Sequence, residues 1–221
     1  MTDTASQTSP ANSPLIGIFG GTFDPVHQGH LACARYVLEH CALDQLQFMP
    51  CHLPPHRASP GVSAAHRANM VELAIAGEPS MQLQPLELDR SSPSYTADSL
   101  ALLKQAMPDC TLAFVIGMDS LSYLKQWYQW QTILRLSHLI VCQRPGYTSN
   151  EGDCPALLAG FGADISALRR RPHGNIVVLD NPDFAASATA IRAALANQQQ
   201  NISTLAPSVL NYIQQHRLYQ S

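Results

Sequence analysis

A chain of 221 residues suits one α/β domain with a small appendage, and its 46% hydrophobic content can supply a core. A net charge of −3 gives no global basic field, which argues against polymeric nucleic acid as a partner, though a local site for a small anion needs no global charge. No run approaches the roughly 18 apolar residues of a membrane span.

Residues 1–13 read as a polar, disordered tail, with neither the basic start nor the apolar centre of a secretory signal. A single domain is expected over 14–221, in the cytoplasm. The six cysteines, Cys33, Cys41, Cys51, Cys110, Cys142 and Cys154, are scattered and form no Cys-x-x-Cys pair. They read as reduced thiols that act as small hydrophobes.

Leu15 to Phe19 is apolar on both faces, as a central parallel strand should be. Gly20, Gly21, Thr22 and Phe23 then make a turn, and a helix runs from Gly29 to about His40. A second strand, Leu46 to Pro50, leads into a proline-stiffened loop, Pro54-Pro55-His56-Arg57. Ser63 caps a predicted helix to Ala76. Met81 to Leu88 alternates around Pro85 and reads as an edge strand. Thr96 is expected to cap a helix through Met107, and Thr111 to Ile116 is a buried strand ending at Gly117-Met118-Asp119-Ser120. One helical stretch follows, carrying Tyr123, Trp127, Tyr128 and Trp130. After the strand His138 to Cys142 comes Arg144. Residues 147–174 read as a variable insertion whose Arg169-Arg170-Arg171 run is a solvated loop surface. Ile176 to Leu179 is the last strand. A C-terminal helical part, 187–221, holds one helix from Ser187 to about Asn197 and another from Pro207 to Gln215.

Strands alternate with helices throughout. The order predicts an α/β, Rossmann-like fold: an open, mostly parallel sheet with helices on both faces and a small C-terminal helical part. Ligands in such folds sit beyond the C-terminal ends of the strands. The candidate segments fall after strand one, after strand two, after Thr111–Ile116 and after the last strand. A glycine turn entering a helix suits phosphate, and two imidazoles beside it can add donors.

This turn fits neither common nucleotide fingerprint. No lysine precedes Lys104, so there is no P-loop, and the second strand lacks the terminal acid of a dinucleotide site. His27 and His30 lack the further ligands at standard offsets that zinc requires.

Gly20-Gly21-Thr22-Phe23-Asp24-Pro25-x-His27-x-Gly29-His30 resembles the nucleotidyltransferase superfamily with the His-x-Gly-His motif. Within it the chain is similar to the bacterial nicotinate-nucleotide adenylyltransferases, over about Ile16 to Leu218. Further matching motifs are Pro54-Pro55-His56-Arg57, Pro93-Ser94-Tyr95-Thr96-Ala97, Ile116-Gly117-x-Asp119-Ser120-Leu121, Trp127-Tyr128 and Leu139-Ile140-Val141-Cys142-x-Arg144-Pro145-Gly146. The motif usually written Ile-Ser-x-Thr-x-Ile-Arg begins here with Ala186, a packing position.

The resemblance implies transfer of the adenylyl group of ATP to nicotinate mononucleotide, by in-line attack of the mononucleotide phosphate on the ATP α-phosphorus. It implies His27, His30 and Arg192 as catalytic residues. It places ATP against Gly20, Gly21, Thr22, Phe23, Gly29, His30, Gly117, Asp119, Ser187, Thr189 and Arg192. It places the mononucleotide against His56, Arg57, Tyr95, Thr96, Ala97, Trp127, Tyr128 and Arg144. Mg²⁺ is expected to bind mainly through ATP phosphates, with no protein ligand named. The same chemistry on nicotinamide mononucleotide or another phosphate acceptor, and a non-catalytic nucleotide-binding regulator, are the alternatives.

Overall fold

Strand β1 (Leu15–Gly21) divides its side chains between two apolar layers: Leu15 enters one, and Ile16 and Ile18 enter the other. A strand apolar on both faces requires helices on both sides of its sheet. In the computed structural model, which describes residues 13–52, 61–88, 90, 93–184 and 186–220, β1 pairs with β2 (Gln45–Pro50) and with β4 (Thr111–Gly117). The sheet extends past β2 to β3 (Met81–Leu83), and past β4 through β5 (His138–Cys142) to β6 (Ile176–Leu179). Each pairing is parallel, and the order is β3-β2-β1-β4-β5-β6 among the described residues. The order reverses between β1 and β4, and the crevice at that reversal is where a doubly wound sheet binds ligands.

One layer packs α1 (Gln28–His40) and α2 (Ala64–Ile75) on the sheet through Leu31, Val37, Met70 and Val71. The C-terminal helices α8 (Ala188–Ala196) and α9 (Pro207–Gln215) join that layer through Ile191, Leu195, Val209 and Ile213. On the opposite face lie α3 (Thr96–Ala106), α4 (Met118–Leu121), α5 (Trp130–Leu136) and α6 (Cys154–Phe161), with Leu100, Met118, Ile133 and Leu157 buried. The short helix α7 (Ala167–Arg170) buries Leu168 in the first layer. Among the described residues no helix is long and apolar enough to cross a membrane.

The expected strand Met81–Leu88 stops at Leu83. Gln84 still donates its N–H to the Phe48 carbonyl, but Pro85 has no N–H to continue the ladder and the chain turns away. The aromatic stretch after β4 is not one helix. It is α4, a 3₁₀ turn over Leu124–Gln126, and α5, which begins after Gln129 in the left-handed region at φ 49°. Thr96 is the first residue of α3 rather than its cap; Tyr95 occupies the cap position. Ser63 and Ser187 do cap, accepting from the N–H groups of His66 and Ala190.

Residues 147–174 hold α6 and α7, and Arg169 is a clamp rather than solvated loop surface. It donates to the carbonyl of Ala42 at 2.6 Å and to that of Ser13 at 3.4 Å, and pairs with Asp44 at 3.0 Å. Asp44 in turn accepts from the Leu15 N–H at 2.7 Å. Most of the expected N-terminal tail lies outside the described residues; Ser13 is buried. The clamp sits where β1 begins, at the far end of the strand from the crevice. Arg169→Ala is therefore expected to lower stability by about 1 kcal/mol while leaving turnover unchanged. Urea unfolding and a steady-state assay on the same variant check both halves.

Candidate active site

Gly20 and Gly21 end β1 in register with Met49 and Pro50, so the β1 and β2 loops leave the sheet side by side. Phe23 follows in the left-handed region, at φ 49°. Its ring is 1% exposed and meets Phe19 and His30 edge-on, at centroid distances of 5.7 and 5.1 Å. Phe23 is thus the floor beneath the histidines; its ring is buried, so it could meet a nucleotide only through its backbone.

His27 is the N-cap of α1 and His30 its third residue. Their rings stack at 3.7 Å, with planes 20° apart. The backbone N–H of His27 donates to Nδ1 of His30 at 3.2 Å. That bond leaves the neutral His30 ring its proton on Nε2, as a donor. Nδ1 of His27 is buried and has no hydrogen-bond partner among the described residues. Gly29 lies between the two because the segment before α8 crosses closely here. A Cβ at Gly29 would meet the Phe184 carbonyl oxygen at 2.8 Å.

That crossing segment delivers Arg192. Its Nη1 donates to the Asp24 carbonyl at 2.7 Å across 168 residues of chain, and its Nη2 donates to Thr189 Oγ1 at 3.3 Å. Arg192 therefore reaches the turn that leads into His27, with Thr189 bonded to it and Ser187 capping the same helix. On the β4 side, Gly117 precedes α4 and admits Asp119, whose Oδ1 would collide with any Cβ at that glycine. Asp119 Oδ1 is buried without a partner among the described residues, and Oδ2 accepts from Arg144 Nη1 at 2.7 Å.

Burial holds both imidazoles below their ordinary range. His27 is pushed down to about 4, by desolvation and then by the Arg144 charge, against a backbone hydrogen bond that raises it. His30 is held well below, by desolvation first, then by His27 and Arg144. Both rings are neutral at pH 7, so the pair works through oriented N–H donors. Arg144, expected against the mononucleotide, pairs with Asp119, and its charge is felt at both histidines.

The acceptor set is brought together in part. Tyr95 and Tyr128 pack ring to ring at 4.6 Å beside the start of α3, where the Thr96 and Ala97 N–H groups precede the first helical bonds. Ala97 itself is 1% exposed and belongs to the apolar layer, so only its N–H is free to serve a ligand. Trp127 meets Phe114 and Tyr123 at 6.5 and 6.4 Å, and its Nε1 is buried with no partner among the described residues. His56 and Arg57 lie outside the described residues.

The cytidylyltransferase-like family model matches residues 18–194. The chain belongs to this family. Its curated relatives include a "Probable nicotinate-nucleotide adenylyltransferase" of Cronobacter sakazakii, 43% identical over 91% of this chain and 94% of that one. Another of the same name, from Aeromonas salmonicida, is 42% identical over 93% of this chain and 97% of its own. Among solved structures, the Plasmodium falciparum nicotinic acid mononucleotide adenylyltransferase complexed with NaAD shares the fold, with a TM-score of 0.69 at 20% identity, covering 93% of this chain and 97% of that one. The same enzyme complexed with APC gives 0.68 at 21% identity.

In this cytidylyltransferase-like chain three residues outside the expected set help to build the site. Asp24 lies within the glycine-turn motif but has no expected role; it anchors Arg192 through its carbonyl and accepts from Tyr219 Oη at 2.6 Å. Glu87 and Arg67 carry no local sequence signal. Glu87 is buried and accepts from Ser99 Oγ at 2.5 Å, under α3. Arg67, from α2, reaches Thr22 and Cys51.

The low histidine pKa values have a consequence for stability. Below pH 6.5 an unfolded His27 takes up a proton that the folded state refuses until about pH 4, so stability falls as the pH drops through that window. A loss on the order of 2 kcal/mol is expected from His27. Unfolding free energies for the wild type and His27→Gln between pH 7 and 4 check it: the variant curve should be flatter, and parallel curves would refute the assignment.

Proposed function

We propose that the protein transfers the adenylyl group of ATP to nicotinate mononucleotide, forming nicotinate adenine dinucleotide and pyrophosphate in NAD biosynthesis in the cytoplasm. The observation that carries this reading is the stacked His27–His30 pair at the entry of α1, beside β1, together with the bond of Arg192 to Asp24, three residues before His27. Two segments far apart in sequence are thereby joined. The site offers charge stabilisation and alignment and no activated nucleophile, which is what direct phosphoryl displacement needs.

In this reading the triphosphate lies along the glycine turn and the α1 N-terminus. His30 Nε2–H and Arg192 donate to the transferring and leaving phosphates. Asp119 Oδ1, buried and unpartnered, accepts from the adenosine ribose. The mononucleotide presents its ring to Trp127 and its carboxylate to the Thr96 and Ala97 N–H groups. Its own 5′-phosphate is the nucleophile, so the protein need only hold it in line. Mg²⁺, carried on the ATP phosphates, neutralises part of their charge. Among the described residues no group of three His, Cys, Asp or Glu side chains is placed to hold a metal.

Incubation with ATP, Mg²⁺ and either the acid mononucleotide, its amide or phosphopantetheine, with pyrophosphate followed, tests the assignment. The acid should be used fastest. Equal or better turnover of another acceptor would reassign the substrate, and nucleotide binding without any pyrophosphate would point to a regulator. Trp127→Ala should raise KM for the mononucleotide about tenfold while changing KM for ATP little. The reverse ordering would move the ring site elsewhere.

A further inference from the structure

Arg67 is 1% exposed, one of the largest fully buried side chains in the protein. Among the described residues it forms no ion pair with a carboxylate. Its guanidinium is spent on backbone carbonyls: Nη1 donates to Thr22 at 2.6 Å, Nη2 to Cys51 at 2.6 Å and to His52 at 3.5 Å, and Nε to Val62 at 3.3 Å. A buried cation without a counter-ion is unfavourable, and an apolar chain of similar volume would fill the same space more cheaply. The planar fork does what an apolar chain cannot: it holds two loop carbonyls at a fixed separation.

The two loops differ in role. Thr22 follows Gly20 and Gly21 in the phosphate-binding turn. Cys51 and His52 leave β2 toward the acceptor side. The His52 N–H donates to Ser94 Oγ at 3.2 Å, and its Nδ1 bonds the Arg90 carbonyl at 2.8 Å. Ser94 precedes Tyr95, the N-cap of α3. A continuous path of hydrogen bonds thus runs from the triphosphate turn, through Arg67, to the start of the acceptor helix.

We propose that Arg67 is a positioning residue that sets the ATP loop at Thr22 against the acceptor frame at Cys51, His52 and Ser94. This rests on the adenylyl-transfer reading, in which the attacking phosphate and the α-phosphorus must be in line. Small misplacement of one substrate against the other slows that step without weakening the binding of either. The role is therefore in kcat rather than in KM.

Arg67→Met and Arg67→Lys, compared with the wild type, test it by steady-state kinetics and native-state amide exchange. Arg67→Met should lower kcat about tenfold, with both KM values within about threefold. Arg67→Lys should recover part of that loss, because an ammonium still donates to the carbonyls. Exchange should quicken together at residues 21–23 and at residues 52 and 95, with β4 and β5 unchanged. Full kcat in a folded Arg67→Met, a loss confined to one KM, or exchange that rises at one loop alone or throughout the protein would overturn the proposal. If Arg67→Met does not fold, Arg67→Lys carries the same readouts with a smaller shift in the same direction. A wild type that releases no pyrophosphate with any acceptor would end the functional reading, and the exchange pattern would still decide whether Arg67 bridges the two loops.

Discussion

Replacing His30 with alanine lowers kcat by a factor on the order of 10²–10³, with a much smaller change in KM for ATP. The size follows from geometry. The His27 N–H fixes Nδ1 of His30 as an acceptor, so Nε2–H is a donor aimed from a packed ring that cannot turn away. Phe23 and Phe19 pack edge-on against that ring, at 5.1 and 6.1 Å, and His27 covers its face. Such a preorganised donor acts most strongly on charge that develops in the transition state. His30→Asn, which keeps a donor amide on a shorter stem, should recover a fraction of the rate. Single-turnover measurements separate the chemical step from product release. A near-normal single-turnover rate in His30→Ala would remove His30 from the reaction, and a rise confined to KM would make it a binding residue only.

Arg192→Ala should reduce kcat/KM for ATP on the order of 10²-fold. Two effects combine. In the proposed reading the guanidinium is a cation that the C-terminal part of the chain brings to the triphosphate. Its bond to the Asp24 carbonyl also steadies the turn leading into His27. Arg192→Lys separates them: the charge remains, but one ammonium cannot serve Asp24, Thr189 and a phosphate in the same planar arrangement. The lysine variant should therefore fall between the wild type and alanine. A lysine variant as slow as alanine would make the planar fork the essential property, and one as fast as wild type would leave charge alone. Unchanged ATP kinetics in both variants would take Arg192 out of the phosphate site.

The features readable from the sequence are those written over short stretches. An apolar strand, two glycines and two histidines lie within sixteen residues, and β1, the turn and α1 form there. The parallel sheet followed from strict alternation of strands and helices, which leaves few topologies. Long-range meetings were legible only through family resemblance: no periodicity connects Arg192 to Asp24. Arg67 looks like any helix arginine, because its role depends on carbonyls, which sequence does not label. Arg144 is expected against the mononucleotide from its motif, and its ion pair with Asp119 is a long-range contact that no local pattern announces. The broken helix after β4 was hidden because its aromatic residues suit either one long helix or several turns, and only the left-handed Gln129 decides between them.

Tyr219, in the turn that follows α9, is hydrogen-bonded to the carboxylate of Asp24, so a segment remote in sequence fastens the loop that leads into His27. This bears on handling as much as on chemistry. A reporter inserted beside Tyr219 loads that latch, whereas β1 begins at the opposite pole of the sheet. Tyr219→Phe should produce a folded protein with an impaired grip on triphosphate, a kind of lesion that expression level or solubility would never reveal.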